Sequence, residues 1–235
     1  MNQREEEMAD CRPIDLTAWP RAAHYRRFTE ESPCAVTMTD DIDVTALREV
    51  CRARNLSFYL SVLWTVSAVV NAREEFRLTE VDAPELPAPV PAVWDVVHPA
   101  HNVFHEDTET YTGTFTLFSP DPEEFMERAA EDVERAKRLP IPSIPTPPNV
   151  FEASCVPWRH FTHAGALTDA PSLAPLVVWG GFREVPEIGK RPRLLMPLSV
   201  TVSHAAADGY HLARFLNDAE ALCAELAGRL ERRTL

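Results

Sequence analysis

The sequence has little that could staple or ligate it. Its five cysteines, Cys11, Cys34, Cys51, Cys155 and Cys223, are odd in number and widely spaced, and no CxxC occurs. That excludes a disulfide framework or a zinc knuckle and points to small buried side chains in a reducing compartment, the cytoplasm. No stretch approaches the roughly 20 apolar residues of a membrane span. The opening MNQREEEMAD has no apolar core, so it is not a secretory signal. Positive charge is also short: 23 Lys and Arg stand against 36 Asp and Glu, for a formal charge of −13. Nucleic acid or an anionic membrane is therefore excluded as the main partner, although a local basic pocket for a small anion is not. There is no GxGxxG, no Walker loop, no GxSxG and no HExxH.

What is present is an ordinary globular composition, 45% hydrophobic and 25% charged over 235 residues. Residues 41–55 have a helical stripe through Val44, Leu47, Val50 and Cys51, capped by Asp43 or Thr45. SFYLSVLWTVSAVVNA (57–72) reads as a buried helix. The proline-rich VDAPELPAPVP (81–91) reads as an extended connection or hairpin tip. VWDVV (93–97) and ETYTGTFTLF (109–118) read as strands, and residues 120–139 as a helix with an acidic start and a basic end. After a second proline-rich break come strands at 154–164, 174–185 and 191–203, the last two joined through a Gly-Lys turn. A final helix from Tyr210 to Leu230 presents Leu212, Phe215, Leu216, Ala219, Leu222 and Leu226 on one face. The expectation is an α/β two-layer sandwich, a mixed β-sheet with packed helices. A mobile arm over residues 1–12 precedes a single domain over 13–235.

The chemistry centres on SHAAADGYHLARFLNDAEALC (203–223). His204 falls where a strand ends and a helix is about to start, and a neutral imidazole can take a proton near pH 7. Asp208 fixes a charge nearby and Gly209 frees the turn. The spacing alone equally allows a satisfied turn histidine and an Asp208 that only caps the helix. His98, His101 and His105 in HPAHNVFH form a second cluster. In an extended segment His98 and His101 point to opposite faces, so a metal site is not expected there, nor at His160 and His163. Taken alone, Ser154 is a strand hydroxyl and Arg21 a surface charge.

Together these pieces resemble the chloramphenicol acetyltransferase family. WPRAAHYRRF (19–28), PCAVTMTDDIDVTALR (33–48), FYLSVLWTVSAVVN (58–71), EFRL (75–78), VWDVVHPAHNVFHEDTETYT (93–112), SCVPWRHFT (154–162) and LLMPLSVTVSHAAADGYHLARFLN (194–217) follow in family order, covering about residues 16–226. The resemblance implies an O-acetyltransferase that moves acetyl from acetyl-coenzyme A to the primary hydroxyl of chloramphenicol without an acyl-enzyme and without a metal. It implies His204 as general base and Ser154 as oxyanion donor. Asp208 and Arg21 become a pair that holds the catalytic loop. Tyr25, Cys34 and Phe104 would line the acceptor pocket, and Tyr59, Trp158 and Phe182 the coenzyme A channel. It also implies a homotrimer, with His204 from one subunit and much of the acceptor pocket from its neighbour.

Several positions depart from the family pattern. The usual first histidine of HHxxxDG is Ser203, and channel lysines become Ser57 and Gly181. Around the acceptor stand Ser32, Val36, Val178 and an unusual charge, Glu152. These changes support an alternative: the same fold and chemistry acting on another hydroxyl or amine acceptor, in a biosynthetic role. A third reading is a silent binding trimer, against which the retained His204, Ser154, Arg21 and Asp208 argue.

Overall fold

The computed structural model describes residues 10–82, 89–139, 142–166, 171–189 and 191–232. Its main sheet runs in the order β2 (Ala35–Asp43), β10 (Arg193–Ser203), β8 (Leu176–Gly180), β7 (Val150–Val156), β5 (His98–His105) and β6 (Thr110–Phe115). The short β9 (Arg183–Val185) pairs with β10 beyond the end of β8. Pairing is parallel at β5–β7 and β7–β8 and antiparallel elsewhere, so the sheet is mixed as expected. A small second sheet, unforeseen in the sequence, orders β1 (Cys11–Pro13), β4 (Val90–Trp94) and β3 (Leu78–Val81).

Four helices pack on one face of the main sheet: α2 (Thr45–Ala53), α3 (Phe58–Asn71), α4 (Pro122–Lys137) and α5 (Gly209–Arg232). A fifth, α1 (Ala22–Arg26), continues into a π-helical stretch over Arg27–Glu31. Strand alternation divides the residues between faces. Along β7, Phe151 and Ala153 join the helix-side core, while Glu152 and Ser154 turn to the other face. Helix α3 is buried nearly all round, which explains its weak polar face. In α4, Asp121 accepts from the amides of Glu123 and Glu124, Pro122 stands in the first turn, and Arg135 and Lys137 close the last. The apolar stripe of α5 is buried, except that Leu222 is only half-buried; Cys223, Ala227 and Leu230 extend it.

Some boundaries move. Residues 41–43 belong to β2, and helix α2 starts only at Thr45, whose amide and hydroxyl both donate to Asp43. VWDVV is not one strand: β4 ends at Trp94, and β5 begins at His98 in the other sheet. The strand expected over 154–164 starts earlier and stops before Pro157, which has no N–H to continue the ladder. The strand expected over 174–185 is broken between β8 and β9. The break faces Pro197 of β10, which likewise donates no ladder hydrogen bond. Gly180 makes the close approach possible, since a Cβ there would lie 2.8 Å from the Arg159 carbonyl oxygen and the Pro197 ring. Of the arm expected over residues 1–12, residues 1–9 lie outside the described ones, and Cys11 and Arg12 are in β1. The proline-rich connection joins the antiparallel pair β3–β4, with residues 83–88 outside the described ones.

His98 and His101 serve the interior. The Nδ1 of His98 accepts from the Phe118 amide, and His101 contacts Tyr59 Oη at 3.0 Å and Thr116 Oγ1 at 3.1 Å. Burial pulls both imidazoles down to about 4. Their lowered folded pKa means that the unfolded chain takes up protons first, near its ordinary value of about 6.5. Their stabilising effect is therefore complete above about 6.5 and is lost as pH falls towards about 4. The melting temperature should fall over that window, and His101→Gln should make the fall shallower; equal slopes in the two proteins would contradict this account.

Candidate active site

His204 follows directly on β10, and its position is fixed by the sheet. Its amide donates to the Cys34 carbonyl at 2.9 Å, one step beyond the last register pair, Ser203 with Ala35. The side chain is fixed as well. Its Nδ1 lies 3.0 Å from the Ala207 carbonyl oxygen. A carbonyl only accepts, so Nδ1 carries the proton and Nε2 is left with its lone pair. The Phe28 ring stacks on the imidazole with centroids 3.9 Å apart and planes 15° from parallel. A half-buried histidine held in this tautomer and plane is equipped to receive a proton at Nε2.

Arg21 secures the loop. Its Nε donates to the Ala205 carbonyl at 3.0 Å, Nη2 to the His204 carbonyl at 2.8 Å, and Nη1 to Asp208 Oδ2 at 2.9 Å. Asp208 Oδ1 accepts from the Tyr210 amide at 3.1 Å and from His211 Nδ1 at 2.9 Å. Capping and pairing, alternatives in the sequence, are thus both present, and Asp208 makes no contact with the imidazole it supports. Burial opposes ionisation of Asp208, but hydrogen bonds from Arg21 and His211 outweigh it and hold the carboxyl at about 2. Because the side chain is 35% exposed, breaking the pair should cost less than the about 3–5 kcal/mol of a fully buried one.

The sign of the pH dependence follows from that lowered value. The stabilisation from Asp208 is present above the unfolded carboxyl's ordinary value of about 3.9. It is lost as pH falls towards about 2. Asp208→Asn should melt lower than the wild type at pH 7 and turn over more slowly. A melting series should bring the two proteins together near pH 2; curves that stay parallel would remove the Arg21–Asp208 account.

Ser154 lies elsewhere in the chain. It stands level with Val178 and Ser199 across β7, β8 and β10. Two strand spacings and four residues of rise put the end of β10 roughly 16 Å from it. One reacting oxygen cannot touch both groups of the same chain. Its neighbour Cys155 is pushed up to about 12 by burial, so it offers no thiolate near neutrality.

The other expected residues fall into separate groups. Tyr25 is buried near the base loop, stacks obliquely on Trp19, and donates from its hydroxyl to Glu80 at 2.5 Å. Burial and that carboxylate raise its pKa. Cys34 holds the His204 amide through its backbone. Phe104, assigned to the acceptor wall, and Trp158, assigned to the coenzyme channel, touch edge to face at 4.8 Å on the surface beyond β7. Phe182 is exposed and meets Phe58 at 6.0 Å. Tyr59 is separate from both: its hydroxyl contacts His101 and its ring packs 5.7 Å from Trp179 on the helix side. Phe28 and His211 were not identified from the sequence. Their contacts arise only when α1 and the start of α5 meet the end of β10.

The two positions expected to lack channel lysines have structural reasons for their residues. Ser57 caps α3 by accepting from the Leu60 amide. A Cβ at Gly181 would lie 2.7 Å from the Pro157 carbonyl oxygen. The cation beside them is Arg48, whose guanidinium sits 5.6 Å from the Phe58 ring and 5.8 Å from the Phe182 ring. The exposed Phe182 ring beside a cation that forms no ion pair among the described residues could hold an anionic, planar ligand. Among the described residues, no group of three or more His, Cys, Asp or Glu comes together for a metal, and no helix is long and apolar enough to cross a membrane.

The family model described as chloramphenicol acetyltransferase matches residues 10–220. A chloramphenicol acetyltransferase of Streptomyces acrimycini is 38% identical over 221 residues, covering 92% of this chain and 95% of its own. Chloramphenicol acetyltransferase 3 of Escherichia coli is 31% identical over 217 residues, covering 89% and 95%. Among solved structures, a chloramphenicol acetyltransferase superposes with a TM-score of 0.75 at 21% identity, over 91% of this chain and all of the other. The dihydrolipoamide acetyltransferase of Azotobacter vinelandii superposes with 0.63 at 21% identity, over 88% of each.

Proposed function

The chain belongs to the chloramphenicol acetyltransferase family, and on that premise we propose that it acetylates the primary hydroxyl of chloramphenicol with acetyl-coenzyme A, an antibiotic-resistance activity. The observation that carries this reading is the free Nε2 of His204, fixed by the Ala207 carbonyl and the Phe28 ring. His204 takes the proton of the hydroxyl as its oxygen attacks the thioester carbonyl. A C–O bond forms, the C–S bond breaks, and the proton passes to the departing thiolate. Negative charge collects on the carbonyl oxygen in between, where the Ser154 hydroxyl donates to it. Arg21 and Asp208 position the loop and transfer no proton.

Because Ser154 and His204 of one chain are too far apart to share an oxygen, each site pairs the base of one subunit with the Ser154 face of the next, and the homotrimer implied by the family supplies such pairs. Tyr25 and Cys34 then border the acceptor from the base side and Phe104 from the opposite side. Trp158, Phe182 and Arg48 border the donor, and Tyr59 supports that wall from within. Acetyl-coenzyme A as donor and the free thiols support a cytoplasmic setting.

Thiol release from acetyl-coenzyme A with chloramphenicol, followed by mass spectrometry of the product, tests this function. Mono-acetylated chloramphenicol formed at a useful rate is expected. Coenzyme A binding without that product would leave the donor chemistry in place and transfer the reading to another hydroxyl or amine acceptor.

A further inference from the structure

Helix α5 opens with an unusual cap. The Asp208 carbonyl accepts from the His211 and Leu212 amides, and Oδ1 accepts from the Tyr210 amide, so Asp208 is the N-cap. His211 is the third residue of the helix, the place from which the side chain of a capping box reaches back to the N-cap amide. Glu or Gln serves there because each offers that amide an oxygen acceptor. The imidazole behaves differently. Its Nδ1 lies 3.3 Å from the Asp208 amide nitrogen but 2.9 Å from Asp208 Oδ1. One ring nitrogen holds either a proton or a lone pair, so it serves only one of the two. The carboxylate oxygen brings lone pairs alone, and the shorter contact therefore requires the proton on Nδ1. The surroundings leave that proton to Asp208. His211 borders a crevice of about 380 Å³ together with His24, Glu74, Glu75 and Asp208. Of the other two acids, Glu74 is paired with Arg12 and Glu75 with Arg214. The exposed Tyr210 ring stands edge-on to the imidazole, with centroids 5.6 Å apart.

Asp208 thus has one oxygen for each neighbour. Oδ1 is held by the first turn of α5, through His211 and the Tyr210 amide, and Oδ2 by Arg21. Arg21 in turn carries the carbonyls of Ala205 and His204. The carboxylate is 35% exposed, so without His211 water from the crevice would compete for Oδ1 and the group would be free to turn. We propose that His211 is a positioning residue for acetyl transfer: its Nδ1 proton locks Asp208 in the orientation that presents Oδ2 to Arg21, and through Arg21 it aims the base. This rests on the acetyl-transfer reading above and adds a residue to it. Among the described residues the polar and ring contacts of His211 are with Asp208 and Tyr210, not with the His204 imidazole. It reaches the reaction only through the clamp.

The test is a set of substitutions read by steady-state rates with acetyl-coenzyme A and chloramphenicol, with a melting temperature for each protein. Asparagine puts an amide nitrogen where Nδ1 stands and keeps the donor; leucine keeps the bulk and loses it. His211→Leu should lower kcat by between about 10 and 10², the scale of a small misplacement of a reacting group, with KM for both substrates unchanged. His211→Asn should recover most of that loss. Adding His211→Leu to Asp208→Ala should cost no further activity, because both act through one carboxylate. His211→Ala, which also removes the donor, replaces the leucine variant if that protein does not fold. A donor-less variant as fast as the wild type would overturn the proposal. So would an asparagine variant as slow as the leucine one, a loss carried by KM, or losses that multiply in the double variant. A wild type that turns over no chloramphenicol would remove the acetyl-transfer reading and this inference together, whereas turnover indifferent to His211→Leu removes only the inference.

Discussion

His204→Ala should lower kcat by between about 10² and 10⁴, the range of a positioned general base, while the protein still folds and binds coenzyme A. The folding part can be argued from magnitudes. Losing the imidazole removes one stacked ring from Phe28, worth about 0.5–1.5 kcal/mol, and one side-chain hydrogen bond to Ala207, worth about 0.5–1.5 kcal/mol net. The Arg21 contacts to the loop go to backbone carbonyls and to Asp208, so they survive the substitution. The amide bond to Cys34 survives too. Steady-state rates, with a coenzyme-induced shift in melting temperature as control, check the prediction. Near-normal turnover would remove the direct base mechanism, and loss of the coenzyme shift would show that the substitution had damaged more than the base.

Ser154→Ala should cost about 10²–10³ in kcat, or about 2.7–4 kcal/mol of transition-state stabilisation, with little change in KM. Its stability effect should be small, since Ser154 is half-buried and its hydroxyl makes no hydrogen bond among the described residues that its loss would orphan. The separation of Ser154 from His204 gives this variant a second use. When the two inactive proteins are unfolded together and refolded, mixed trimers contain sites that combine the intact serine of one chain with the intact histidine of another. Activity should reappear in the mixture and in neither parent. A mixture as inactive as its parents would place both groups in a site made by a single chain, or exclude the trimer.

The fold was legible where local pattern and burial agree. The apolar stripe of α5 and the acidic start of α4 lie within single elements, so period and cap suffice to locate them. The gap between β8 and β9 was not legible. It depends on Pro197 in a neighbouring strand, and a one-dimensional reading sees only a run of β-formers through Gly180. The small sheet was hidden for a similar reason: its strands come from distant parts of the chain, and VWDVV runs from the end of β4 into the connection to β5 without a break in composition. At the site, spacing brought His204 and Asp208 to attention but could not decide between cap and clamp, because the cap is local while the clamp depends on an arginine 187 positions away. Phe28 against His204 had no local signal at all. Tyr59 illustrates the opposite limit: helix α3 places its ring inside, against Trp179, and its hydroxyl near His101, a direction that a family position does not specify.

The long β2–β10 ladder carries a lesson for anyone altering this enzyme. Nine consecutive register pairs run from Leu195 with Asp43 to Ser203 with Ala35, and the bond from His204 to Cys34 continues them. Adding or deleting one residue anywhere along either strand would reverse the faces beyond it and displace the imidazole by a residue's rise, about 3.3 Å. Length there is effectively frozen, both for natural drift and for a protein engineer. The freedom to accommodate new acceptors lies instead in point changes on β7 and in the turns outside that ladder, where an insertion leaves the reacting nitrogen in place.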